Sequence, residues 1–221
     1  MSPEILTIVP TKNRNLQEFC DSFFANTKYS KLVFAVDENN YHLKNDLPNI
    51  HYEIVPNKNK IGAVYPLNYV ARKYYKSYTH LVFMADDNRI RTKHWDSYLY
   101  NKIKDIRYGI AYPNDLLQGE NLPTVVMLDS LIVKILGYMV PDIILHQYCD
   151  NFWKELGEKL QTLHYLPNVI IEHLHWINNK SNIDSVYKDS LAIEGVSTDR
   201  YNEYKNRFFT QDINKLKSYA G

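Results

Sequence analysis

A chain of 221 residues, 45% hydrophobic and 23% charged, has enough apolar mass to close a sizeable core and too little charge excess to remain disordered. Lysine plus arginine number 26 against 25 aspartate plus glutamate, and the resulting net charge of +1 excludes a protein that holds nucleic acid by overall charge, leaving only a local basic patch open. The two cysteines, Cys20 and Cys149, lie far apart and outside any Cys-x-x-Cys, which argues against a disulfide framework or a cysteine-built zinc site and fits reduced thiols in a cytoplasmic protein.

Ile5 to Val9 is a β-branched run stopped by Pro10, which predicts a short buried strand followed by the loop Thr11 to Arg14. Leu16, Phe19, Cys20, Phe23 and Phe24 recur at helical spacing, and Asn15 with Glu18 has the pattern of a capping box, so an amphipathic helix is predicted there. Leu32 to Val36, closed by Asp37, is a second strand, and His51 to Val55 a third. The polar segment Asn57 to Tyr65 reads as a loop. Pro66 suits a first helical position for the apolar face of Leu67, Val70, Ala71 and Tyr74.

His80 to Ala85 is a fourth strand running directly into Asp86-Asp87-Asn88. Further on, the pattern predicts a helix near 93–104, strands near 107–112 and 124–128, and a helix near 130–136. Another helix carries Phe152, Trp153, Leu156 and Leu160, and 165–173 reads as a strand pair or a bent strand with Pro167 between. From Asp184 the chain is polar, tyrosine-rich and helical in pattern. The most apolar stretch, Leu131 to Leu145, is broken by Lys134, Gly137, Pro141 and Asp142, and the start has no signal-peptide profile, so no stable membrane insertion is expected.

Strands alternating with helices predict an open α/β sheet, and such sheets bind ligands beyond the carboxyl ends of their strands, where Asp86 and Asp87 fall. No Gly-x-Gly-x-x-Gly or Gly-x-x-x-x-Gly-Lys is present, which disfavours dinucleotide and Walker-type phosphate loops. Neighbouring residues at a strand end point opposite ways, so unless the backbone turns there the two aspartates cannot address one atom, and one can meet a ribose and the other Mg2+ or Mn2+ carrying a nucleoside diphosphate. The plainer reading of Asp-Asp-Asn is a turn that closes a strand. His173 and His175 share a face if their strand persists, and either ring would complete a metal shell or serve as polar packing. Asp150, at a helix start, reads either as an N-cap or as a general base. Of the cations near strand ends, Arg14 and Lys60 stand out for neutralising phosphates.

Three segments together resemble the GT-A glycosyltransferases of the family 2 type: Ile-Val-Pro-Thr-Lys-Asn-Arg (8–14), Met-Ala-Asp-Asp-Asn (84–88), and Asp150 before a helix, supported by Ile-Ile-Glu-His-Leu-His (170–175). The resemblance covers roughly residues 4–175. It implies a GT-A, Rossmann-like open mixed sheet flanked by helices in a single domain, with about 1–112 binding the nucleotide sugar and about 113–221 forming the acceptor half and tail. It further implies Pro10, Thr11, Arg14, Asp37, Lys60 and Asp86 at the donor, Asp87, Asn88 and His173 at a Mn2+ or Mg2+ ion, and Asp150 as catalytic base. Asn88 stands where the family more often has a third carboxylate, which makes Asp87 the preferred ligand. Cys149 stands where a glutamate usually precedes the catalytic aspartate.

The implied reaction is inverting hexosyl transfer from a nucleoside-diphosphate sugar, a UDP-sugar foremost, to a hydroxyl acceptor. Its rivals are a non-catalytic nucleotide-sugar or glycan-binding module of the same fold, a metal-dependent nucleotidyltransferase or hydrolase, and an interaction protein in which the motifs are coincidental.

Overall fold

The computed structural model describes residues 3–12, 14–39, 49–56, 62–182 and 184–219. Strands β1 (Ile5–Thr11), β2 (Lys31–Asp37) and β4 (His80–Phe83) lie side by side and parallel, with β3 (Tyr52–Val55) on the outer edge of β2. The next strand across is β7 (Val126–Asp129), antiparallel to both β4 and β6 (Ile110–Asn114). β8 (Leu163–His173) runs parallel to β6, and the short β5 (Asn88–Ile90) pairs antiparallel with its far end. Among the described residues, the resulting mixed sheet has eight strands in the order β3-β2-β1-β4-β7-β6-β8-β5.

Period-two alternation divides the apolar strands between two cores. Leu6, Ile8, Val33, Ala35, Leu81 and Leu128 face one side, where α2 (Val64–Tyr74), α4 (Ser130–Leu136), α5 (Cys149–Leu160), α7 (Glu194–Arg207) and α8 (Phe209–Ser218) contribute to the packing. Ile5, Val9, Phe34, Val36, Val82 and Met127 face the other, covered by α1 (Gln17–Asn26) and α3 (Trp95–Ile103). Because both faces are covered, the central strands read as continuous apolar runs. Trp95 and Trp153 are fully buried, and each indole N–H has an acceptor: Thr27 Oγ1 at 3.0 Å and the Met139 carbonyl at 2.9 Å. Cys20 and Cys149 are both buried and unpaired.

The tail is part of this packing. Tyr201, Tyr204, Ile213 and Leu216 belong to the first core, and the hydroxyls of Tyr138 and Tyr204 converge on Asp212, which is 1% exposed. Among the described residues, no helix is long and apolar enough to cross a membrane.

Several local expectations are corrected. The capping box at α1 does not form: Asn15 accepts the Gln17 N–H at 2.9 Å, while Glu18 reaches across to Arg89 at 2.9 Å. Pro66 is the third residue of α2, where its missing N–H still costs no helical bond. β4 ends at Phe83, short of the expected Ala85, and Asn88 both closes the turn that follows and starts β5. Asp150 is not the N-cap of α5, a position taken by Tyr148. β8 is one long strand whose register against β6 jumps between Pro113–Leu166 and Asn114–Ile170, so the bend at Pro167 is absorbed as an irregularity.

Candidate active site

β1 runs on to Thr11, past its last register pair with β4 at Ile8–Phe83, and this extension with the segments beyond both strands brings four of the sequence-selected residues into direct contact. Thr11, last in β1, donates its hydroxyl to Asp86 Oδ2 at 2.7 Å. Arg14, in the loop beyond, places Nη1 2.6 Å from Asp86 Oδ1 and 2.9 Å from Asp87 Oδ2. Asp86 and Asp87 lie in the turn beyond β4, so both carboxylates reach one atom, Arg14 Nη1, which neighbours within a strand would not do. His173, last in β8, is the register partner of Asn88, and that pairing sets its Nε2 3.3 Å from Asp87 Oδ1.

The electrostatics follow from burial. Burial pushes the Asp86 carboxyl up, against the opposing pull of Arg14. Burial acts the same way on Asp87, but His173, Arg14 and Tyr187 outweigh it and hold that carboxyl well below the usual carboxylate range. His173 is raised, because Asp87 and Asp115 together overcome its desolvation. Asp87 is therefore a firm anion with one oxygen, Oδ2, held by Arg14 and Tyr187, and the other, Oδ1, buried without a hydrogen-bond partner. The 3.3 Å approach of His173 to Oδ1 is close enough for an ion pair but is not aligned as a hydrogen bond.

The remaining selected residues are placed less directly. Pro10 lies in β1, opposite Ala35. Asp37 ends β2 and closes its own turn by accepting the Asn39 N–H at 2.9 Å. Lys60 lies outside the described residues, as does most of the 57–65 loop. Asn88 is wholly buried, and its amide oxygen accepts the Ala85 N–H at 2.8 Å, so it braces the turn that presents Asp86 and Asp87. Asp150 sits in the first turn of α5, half-buried, close enough to His173 and Asp115 to feel both charges. Its carboxyl is raised by burial, partly offset by backbone N–H groups of the helix start. Tyr148 before it adopts φ +73°, a strained conformation for a bulky residue. Stacking on Tyr201 at 4.9 Å and a 2.7 Å bond to Thr198 hold it there, so α7 helps set where Asp150 stands.

Several site residues have no motif in the sequence. α6 (Ser185–Ala192) lies across the strand ends: Asp184 accepts Arg14 Nε at 2.9 Å and caps α6 through the Tyr187 N–H. The Tyr187 hydroxyl donates to Asp87 Oδ2 at 2.7 Å, and its ring lies 4.8 Å under the Arg14 guanidinium. Ser190 bonds Gln147 at 2.8 Å. His146 accepts the Ala63 N–H at 3.3 Å and feels the charges of Asp87 and Arg14, its own pKa lowered by burial. Only the strand-end position of Asp115, which follows β6 as Asp86 follows β4, offered a sequence signal. A groove of about 410 Å3 beside α1 and β5 has Glu18, Asp21, Arg89 and Arg91 among its lining but none of these carboxylates.

No protein-family model and no curated protein matches the chain. Solved structures do. A mannosyltransferase from Pyrobaculum calidifontis, PcManGT, in complex with GDP-Man and Mn2+, aligns over 99% of this chain and 74% of its own at 12% identity and a TM-score of 0.62. Glucosyl-3-phosphoglycerate synthase from Mycobacterium tuberculosis, with Mn2+, UDP-Glc and phosphoglyceric acid, aligns over 90% of this chain and 80% of its own at 10% identity and a TM-score of 0.61. TarS of S. aureus matches at 13% identity and 0.56, over 76% of this chain and 36% of its own. Such identities speak for architecture: the chain has the GT-A fold.

Proposed function

We propose that this protein transfers a hexosyl group from a nucleoside-diphosphate sugar to a hydroxyl acceptor, with inversion, and that it uses a divalent cation to do so. One observation carries the reading: beyond the carboxyl end of β4, Asp87 keeps a buried oxygen that has no hydrogen-bond partner and lies 3.3 Å from an imidazole nitrogen. A carboxylate oxygen beside an imidazole suits Mn2+, and solved structures of the same fold hold Mn2+ with GDP-Man or UDP-Glc.

Among the described residues, no group of three or more histidines, cysteines or acids is arranged to enclose a metal, so Asp87 and His173 would be the side chains that hold it and a bound diphosphate would have to complete the site. When bound, the cation supplies positive charge to the departing diphosphate. Thr11, Arg14 and Asp86 form the donor side. Arg14, already the counter-cation of Asp86 and Asp87, is placed to follow negative charge onto a phosphate. Asp150 is the base that takes the acceptor proton as the new bond forms, and its raised carboxyl makes it a stronger base than an exposed aspartate. Pro10, Asp37 and Lys60 complete the donor assignment, with a UDP-sugar as the first donor to test.

The test is thermal stabilisation by UDP-, GDP- and dTDP-sugars with and without Mn2+, since a ligand specific for the native state raises its stability. A Mn2+-dependent shift that is lost in Asp87→Ala would support the reading and name the nucleotide. No shift with any donor would refute it, and donor binding without transfer to any hydroxyl acceptor would favour the non-catalytic module.

A further inference from the structure

An imidazole binds a cation through one nitrogen when its proton sits on the other, and metal-bound histidines commonly give that proton to a carboxylate or carbonyl. In His173 the second nitrogen, Nδ1, is buried and has no hydrogen-bond partner. Asp115 Oδ2 lies 4.0 Å from it.

Asp115 is 1% exposed and is held by groups outside the metal cluster. Its Oδ1 accepts the N–H groups of Leu117, Gln118 and Gly119 at 2.9, 2.7 and 2.8 Å, and its Oδ2 accepts the Thr124 hydroxyl at 2.7 Å. Its backbone carbonyl accepts the His173 N–H at 3.0 Å, which ties the two residues together. The imidazole thus stands between two carboxylates, 3.3 Å from Asp87 on one side and 4.0 Å from Asp115 on the other. A shift of about 1 Å closes the second gap to a hydrogen bond. The Thr124 bond leaves Oδ2 a lone pair for it.

We propose that Asp115 is a positioning residue for the metal ligand His173: it accepts the Nδ1 proton, fixes the tautomer whose Nε2 lone pair is free, and holds the ring toward Asp87. The proposal rests on the metal-dependent reading above.

The test compares Mn2+ affinity, measured by titration calorimetry, in the wild type, Asp87→Ala, Asp115→Asn and Thr124→Val. Asparagine keeps an oxygen for the three backbone N–H groups but turns an NH2 toward Nδ1, which favours the wrong tautomer. Asp115→Asn should weaken Mn2+ by about 10- to 100-fold. Thr124→Val releases Oδ2 from its hydroxyl and should leave Mn2+ affinity unchanged or tighter, whereas a merely structural role for Asp115 predicts loss in both variants.

Proton NMR of the Mg2+-loaded wild type adds a direct readout: a slowly exchanging, downfield His173 Nδ1–H signal is expected, and it should vanish in Asp115→Asn. If that variant does not fold, the wild-type signal decides, and its absence overturns the proposal. Mn2+ binding that is lost in Asp87→Ala but unchanged in Asp115→Asn overturns the role of Asp115 alone. No Mn2+ binding by the wild type overturns both this role and the metal-dependent reading.

Discussion

Replacing Arg14 with alanine should destabilise the metal-free protein strongly and the manganese-loaded protein less. The guanidinium, 15% exposed, contacts Asp86 at 2.6 Å, Asp87 at 2.9 Å and Asp184 at 2.9 Å, and the first two carboxylates are only 8% and 11% exposed. Removing one partner from a buried ion pair costs about 3–5 kcal/mol, because the other charge stays buried without compensation. The low end of that range applies, since Asp86 keeps the Thr11 hydroxyl and Asp87 keeps Tyr187 and His173. At this chain length about 3 kcal/mol lowers Tm by roughly 6–12 °C. Urea and thermal unfolding in a chelator give the metal-free difference. Repeating both at one fixed Mn2+ concentration should narrow it, because a divalent cation replaces the missing positive charge. A variant that unfolds together with the wild type in chelator would refute the burial argument. Equal or smaller stabilisation of the variant by Mn2+ would show that guanidinium and cation do not share these carboxylates.

Asp150→Asn should leave donor affinity unchanged by calorimetry and lower kcat by about 10²- to 10⁴-fold, the usual span for a lost general base; weakened donor binding would make Asp150 a binding residue instead. A base works only when deprotonated, and burial pushes the Asp150 carboxyl up, so kcat/KM should rise with pH about a midpoint above the ordinary carboxylate value. A midpoint at or below that value would contradict the assignment. Tyr187→Phe removes a hydrogen bond to a charged acceptor and should cost about 1.5–3 kcal/mol in urea unfolding; no loss would mean that α6 does not rest on Asp87. Gly62→Ala puts a Cβ 2.2 Å from the Leu145 carbonyl oxygen at φ +85°, and should cost more than about 1 kcal/mol in thermal unfolding, whereas a neutral result would argue that residue 62 does not pack on Leu145–His146.

The sheet's centre was legible because β1, β2 and β4 are buried on both faces and therefore read as bounded apolar runs. Asp86 and Asp87 were legible for a related reason, since a polar group directly after such a run must sit at the sheet's end. β5 was not: three residues carry no usable period, and their pairing partner is in β8, more than 80 positions away. The Asn15–Glu18 pattern misled because Glu18 found a distant guanidinium in place of its own helix start. Tyr187 and Asp184 were hidden by separation, reaching Asp87 and Arg14 from the far end of the chain, where the tyrosine-rich pattern said helix but not which surface it would cover. Asp115 was within reach, had the rule applied to β4 been applied to β6.

The core that covers one face of the sheet runs in sequence from Leu6 to Leu216. A polypeptide leaving the ribosome in order would therefore present β1, β2 and β4 with that face incompletely covered until α8 emerges, long after their own pairings become possible. Contacts of such sequence separation are slow to form, and the waiting strands are the surfaces through which nascent chains stick to one another. Yield in the cell should accordingly depend on chaperone capacity and on the rate at which the final helices are translated. Synonymous codon changes late in the message would then alter how much folded protein accumulates while leaving every side chain in place.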